Sequence, residues 1–137
     1  MVNVEDFKNV GRDFESSGHI GRHEHVWEMI ASNYEVLKAV FETLKWKLSR
    51  YVDESAGEVW VVFVCAWGKH RSVGLAEMSY RIWARNGYST SPPIHLSMPK
   101  WSKRKCGWQR CFCDDMNESK WRSLAAAERV WREVFAK

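Results

Sequence analysis

The chain has 137 residues, 45% of them hydrophobic and 14% aromatic, with a formal charge of +4. This composition excludes a disordered tail, and the length predicts one domain that buries its own core without disulfide staples. The four cysteines follow no disulfide framework. The longest apolar run, residues 59–67, is too short for a bilayer. The first residues lack a basic stretch followed by an apolar run. The expectation is an intracellular protein, cytoplasmic or nuclear.

Residues 1–23 are polar and mixed, with Gly11, Gly18 and Gly21, and read as an irregular lead-in to a domain over 24–137. His19, His23 and His25 have no ligand spacing and read as loop residues. From Val26 to Arg50 the residues Val26, Ile30, Tyr34, Leu37, Phe41, Leu44 and Leu48 recur in steps of three and four, predicting one amphipathic helix. Val59 to Val64 is a continuous, β-branched run, the pattern of a strand covered on both faces.

After Trp67-Gly68 the helical period returns from Ser72 to Asn86. One stripe is Val73, Ala76, Tyr80 and Trp83, broadened by Leu75, Met78 and Ile82. Asn86-Gly87 is a stop signal. Pro92 to Met98 reads as a second strand, parallel to the first by way of the helical crossover. Asn117 caps a last helix over 118–135, with Trp121, Leu124, Trp131, Val134 and Phe135 on one side. The fold expected is α/β: a small, mainly parallel sheet flanked by helices, in a single domain.

The segment Cys65-Ala66-Trp67-Gly68-Lys69-His70-Arg71-Ser72 joins strand to helix. Unpaired N–H groups and the helix dipole at such a junction favour an anion. Gly68 admits close backbone approach, Arg71 offers a planar fork to two phosphate oxygens, Lys69 and His70 add positive character, and Ser72 donates a hydroxyl. Cys65 to Arg71 also has the C-x5-R spacing of cysteine-dependent phosphatases, in which a thiolate attacks phosphorus while the arginine clamps the oxygens. Against turnover, Val64 stands where many such enzymes place a histidine, and nothing sets Asp53, Asp114 or Asp115 over the loop as a general acid.

Farther on, Lys100, Trp101, Lys103, Arg104, Lys105, Trp108 and Arg110 interleave cations with indoles, a pattern suited to phosphates and bases. Cys106, Cys111 and Cys113, with His95 as a fourth ligand, form a candidate zinc set of uncommon spacing.

The run from Cys65 to Val73, followed by Ala76-Glu77 and by Gly87, resembles the C-terminal domain of the RapZ family. That motif runs cysteine, threonine, two glycines, any residue, histidine, arginine, serine and valine, after a hydrophobic strand. RapZ is a bacterial RNA-binding adaptor that responds to an amino-sugar phosphate. Its C-terminal domain is an α/β unit that holds phosphate-like anions and contacts RNA. The resemblance covers about residues 59–96 and carries over Gly68, His70, Arg71 and Ser72, with Cys65 at the strand end. Ala66 and Trp67 depart from the family's threonine and first glycine. No G-x-x-x-x-G-K-[ST] loop occurs, so no ATPase activity is expected.

Three functions are therefore weighed. The first is a non-catalytic domain that binds a phosphorylated metabolite or RNA through loop 65–72 and segment 100–110. The second is a cysteine-dependent phosphatase using Cys65 and Arg71. The third is a protein-interaction module that uses surface tryptophans.

Overall fold

The structure, a computed structural model, describes residues 2–3, 24–52, 59–65, 71–96 and 115–136. In chain order these form β1 (Val2–Asn3), α1 (Glu24–Ser32), α2 (Tyr34–Val52), β2 (Phe63–Val64), α3 (Arg71–Arg85) and α4 (Glu118–Phe135). The architecture is mainly helical. The strands pair parallel, Val2 opposite Phe63 and Asn3 opposite Val64, so β1 reaches β2 through the two-helix crossover α1–α2.

The single helix expected over 26–50 is two helices, broken at Asn33. Ser32 Oγ turns back to donate to the Met29 carbonyl at 3.1 Å, satisfying an acceptor that the next turn would have used. Asn33 N–H makes a tight bond to the Ile30 carbonyl at 3.3 Å, while its own carbonyl opens α2 by accepting from Leu37 N–H at 2.9 Å. The break turns Tyr34 out of the expected core stripe to the surface, while Val26, Ile30, Leu37, Phe41 and Leu44 remain buried.

Helix α3 begins at Arg71, one residue earlier than expected. It ends as the Asn86-Gly87 signal predicts, with Gly87 at φ +86°. Gly87 N–H reaches the Ala84 carbonyl at 3.4 Å and Tyr88 N–H reaches the Trp83 carbonyl at 3.0 Å, the paired bonds of a Schellman stop. The buried face is Leu75, Met78, Ser79 and Ile82, whereas Ala76, Tyr80 and Trp83 lie half-buried beside it. In α4, Asn117 is the N-cap, its side-chain oxygen accepting from Lys120 N–H at 2.9 Å. Its buried face holds Leu124, Ala127, Val130, Trp131 and Val134. Trp121, expected inside, is exposed, and Lys120 is buried instead.

The core sits where the four helices meet. Helix α4 packs on α1 and α2, and α3 packs on α1, β2 and α4. Trp27 at its centre is 1% exposed. The Lys120 ammonium lies 4.9 Å from its ring centre and the Arg81 guanidinium 5.9 Å. Each large apolar side chain buried here contributes about 1.5–3 kcal/mol, far more than helix propensity, so the apolar stripes rather than local preference fix these helices against one another.

The sheet is smaller than expected. Of the run 59–64 only Phe63–Val64 are paired, and Val59 and Trp60 are exposed, Trp60 by 74%. The second strand expected at 92–98 does not form over its described residues. Residues 92–95 have no regular structure, Leu96 lies in a turn, and Ile94 and Leu96 face solvent. The partner of β2 is the N-terminal pair Val2–Asn3. Hydrophobic runs report burial only where a neighbour arrives to cover them, and here cover reaches only the end of the run.

Candidate functional site: the strand-to-helix junction

The chain leaves β2 at Val64, and Cys65 follows as a buried, reduced cysteine. Six residues on, Arg71 and Ser72 open the first turn of α3, which carries no acidic side chain. Both are buried, Arg71 to 9% exposure. The Cys65 thiol lies 3.2 Å from Ser72 Oγ and donates to it, tying the end of the strand to the start of the helix. A guanidinium, a hydroxyl and the N–H groups of a first helical turn thus share one end of α3, an arrangement that favours negative charge.

Of the residues expected in the anion loop, the structure places Cys65, Arg71 and Ser72 at this junction. Gly68, Lys69 and His70, with Ala66 and Trp67, lie outside the described residues. So do the nucleic-acid candidates Lys100, Trp101, Lys103, Arg104, Lys105, Trp108 and Arg110, the general-acid candidates Asp53 and Asp114, and Cys106, Cys111 and Cys113.

His95, expected as a zinc ligand, has Nε2 2.8 Å from Glu77 Oε1, and both side chains are mostly buried. Among the described residues no three His, Cys, Asp or Glu side chains gather to hold a metal ion. A ring nitrogen held by a carboxylate ties the segment after α3 back onto that helix. The sequence signal for this contact was the Ala76-Glu77 pair, read above only as part of a motif. Among the described residues, no helix is long and apolar enough to cross a membrane.

The arrangement defines a class: a helical domain in which a short parallel strand pair delivers the chain into a helix N-terminus beside a buried arginine. The profile of the RapZ C-terminal domain matches residues 1–95, so the chain belongs to that family. Two relatives are a "nucleotide-binding protein" of Caldicellulosiruptor saccharolyticus, 33% identical over 57 residues, and a "nucleotide-binding protein" of Koribacter versatilis, 32% identical over 83 residues. The aligned parts are 42% and 58% of this chain but only 20% and 27% of those proteins. No solved structure matches the chain at a significant level.

Proposed function

We propose that the junction 65–72 binds the phosphate group of a phosphorylated, nucleotide-like metabolite or of RNA, without catalysing its turnover, and that the basic segment 100–110 extends the anionic contact. One observation carries this reading: a buried Arg71 beside Ser72 in an acid-free first helical turn. A guanidinium fork matches two phosphate oxygens, and the first turn of a helix adds N–H donors and the positive end of its dipole. Membership of the RapZ C-terminal family and the relatives' name, nucleotide-binding protein, support the same ligand chemistry.

Calorimetric titration with inorganic phosphate and with nucleoside monophosphates tests it. Arg71→Ala, checked for a native circular dichroism spectrum, abolishes binding. Phosphate binding that survives the substitution overturns the reading.

The Cys65–Ser72 contact favours a second reading, a cysteine-dependent phosphatase, because a neighbouring hydroxyl is suited to stabilising a thiolate. Hydrolysis of a generic aryl phosphate under reducing conditions, lost in Cys65→Ser, would establish it. No turnover by either folded protein leaves the binding reading in place.

A further inference from the structure

Helix α2 packs on α1, α4 and β1, and its Leu37, Val40, Phe41 and Leu44 are buried. The opposite side carries Glu35, Ala39, Glu42, Thr43, Trp46 and Arg50, all exposed. At about 100° per residue these six fall within an arc of roughly 100°, so they form one face of the helix. Trp46 is 58% exposed, a large apolar surface left in water. The Arg50 guanidinium lies over its ring at 4.9 Å.

The charges on this face have no use within the described fold. Among the described residues no acid pairs with Arg50, and no cation pairs with Glu35 or Glu42. Lys38 and Tyr34, on the flank, are engaged by Glu133 of α4. The acids lie in the N-terminal half of the face and the arginine near its C-terminal end, with the small Ala39 and Thr43 between.

We infer that this face joins two copies of the chain, with α2 pairing antiparallel to α2 of the partner. A pattern that is acidic at one end and basic at the other is complementary to its own reversal, which is what a twofold axis supplies. Centred between Glu42 and Thr43, the pairing sets each Glu35 opposite the partner's Arg50 and each Trp46 on the partner's Ala39, whose small side chain leaves room for an indole. Trp and Arg are also the side chains that carry most binding energy at interfaces. Glu42, at the edge of the face beside the axis, meets its own copy and weakens the pair. One helix pair of this length covers roughly 1,000 Å² in total, the lower limit for a specific interface. The pair is therefore weak and reversible, with a dissociation constant on the order of 10–100 μM. The surface uses neither Arg71 nor Ser72 and does not depend on the phosphate site.

Sedimentation velocity of the full chain under reducing conditions, from about 1 to about 300 μM, tests the inference. A monomer–dimer equilibrium is expected. Trp46→Ala is expected to leave a monomer throughout. Glu35→Arg and Arg50→Glu each place like charges opposite one another twice, and each is expected to weaken the dimer tenfold or more. Glu35→Arg combined with Arg50→Glu reverses both members of each pair and is expected to restore association to within about threefold of the native chain. Glu42→Gln is expected to tighten it about two- to fivefold.

Trp60, 74% exposed ahead of β2, supplies the control, and Trp60→Ala is expected to leave association unchanged. A native chain that stays monomeric over the whole range overturns the inference. So does a dimer that folded Trp46→Ala leaves intact, which would place the contact elsewhere. Equal losses in Trp46→Ala and Trp60→Ala would mean unspecific apolar association and overturn it as well. Failure of the double charge reversal to restore what the single reversals remove overturns the antiparallel pairing.

Discussion

The thiol of Cys65 donates a hydrogen bond to the hydroxyl of Ser72, 3.2 Å away, across the junction between β2 and α3. The bond joins the end of the strand to the first turn of the next helix. Neutral hydrogen bonds of this kind contribute about 1 kcal/mol. Cys65→Ala and Ser72→Ala should each lower stability by about 1–2 kcal/mol in urea titrations, with the cost of the lost bond and of a small void combined. Because both substitutions remove one shared bond, the double variant should cost less than the sum of the two. Strict additivity would mean that the bond contributes nothing.

Glu128 predicts an asymmetry. Its side chain is 6% exposed, while those of Arg85 and Arg132 are 51% and 61% exposed. Removing the carboxylate leaves two cations that water can hydrate. Removing both cations leaves a buried anion that water cannot reach. Glu128→Gln should therefore cost about 1 kcal/mol, and Arg85→Gln with Arg132→Gln about 2–3 kcal/mol. Thermal or urea denaturation of the two variants side by side decides it, and the reverse order would refute the argument.

Tyr34 predicts a pH dependence at the alkaline end. Its phenol donates to Glu133 Oε1 at 2.5 Å, and this bond, which exists only while the phenol is protonated, raises its pKa above the ordinary value near 10. The folded pKa is thus higher than the unfolded one. The stabilisation is fully present below the unfolded value and is lost as pH rises through the folded value. Phenolate absorbance, taken as the difference between the native chain and Tyr34→Phe, should show one tyrosine titrating late, and Glu133→Gln should bring it back toward the ordinary value.

Gly87 predicts a purely conformational cost. It ends α3 at φ +86°, and a Cβ there would meet nothing within 4 Å. Gly87→Ala should therefore destabilise by about 1 kcal/mol through backbone strain alone, and Gly87→Asn by less, since Asn tolerates the left-handed region. A cost well above this in urea titration would point to contacts that the local geometry does not contain.

Where local chemistry decides an element, the residues were enough to read it. Asn117 announced the start of α4 because its side chain satisfies an N–H three residues on, and Asn86-Gly87 announced the end of α3 because glycine accepts a positive φ. The stripe Val26, Ile30, Leu37, Phe41 and Leu44 was legible as core. The break at Asn33 was not, because the stripe continues through it in register, and only the hydrogen bonds of Ser32 and Asn33 to the Met29 and Ile30 carbonyls mark the change. At the site, the cysteine, arginine and serine were named from spacing. Their convergence depended on β2 and α3 packing together.

By itself the sequence determined three things: the membership of the RapZ C-terminal family, the placing of α3 and α4, and the stop and start signals at Asn86-Gly87 and Asn117. These rest on interactions a few residues long, which the order of side chains fixes directly. Only the tertiary structure decided that Val2–Asn3 pairs with Phe63–Val64 while residues 92–96 form no strand, that Trp60 and Trp121 face solvent, and that His95 meets Glu77. Each of these depends on which distant segment arrives to cover a surface or fill a ladder. A periodic pattern offers a face but does not name its neighbour.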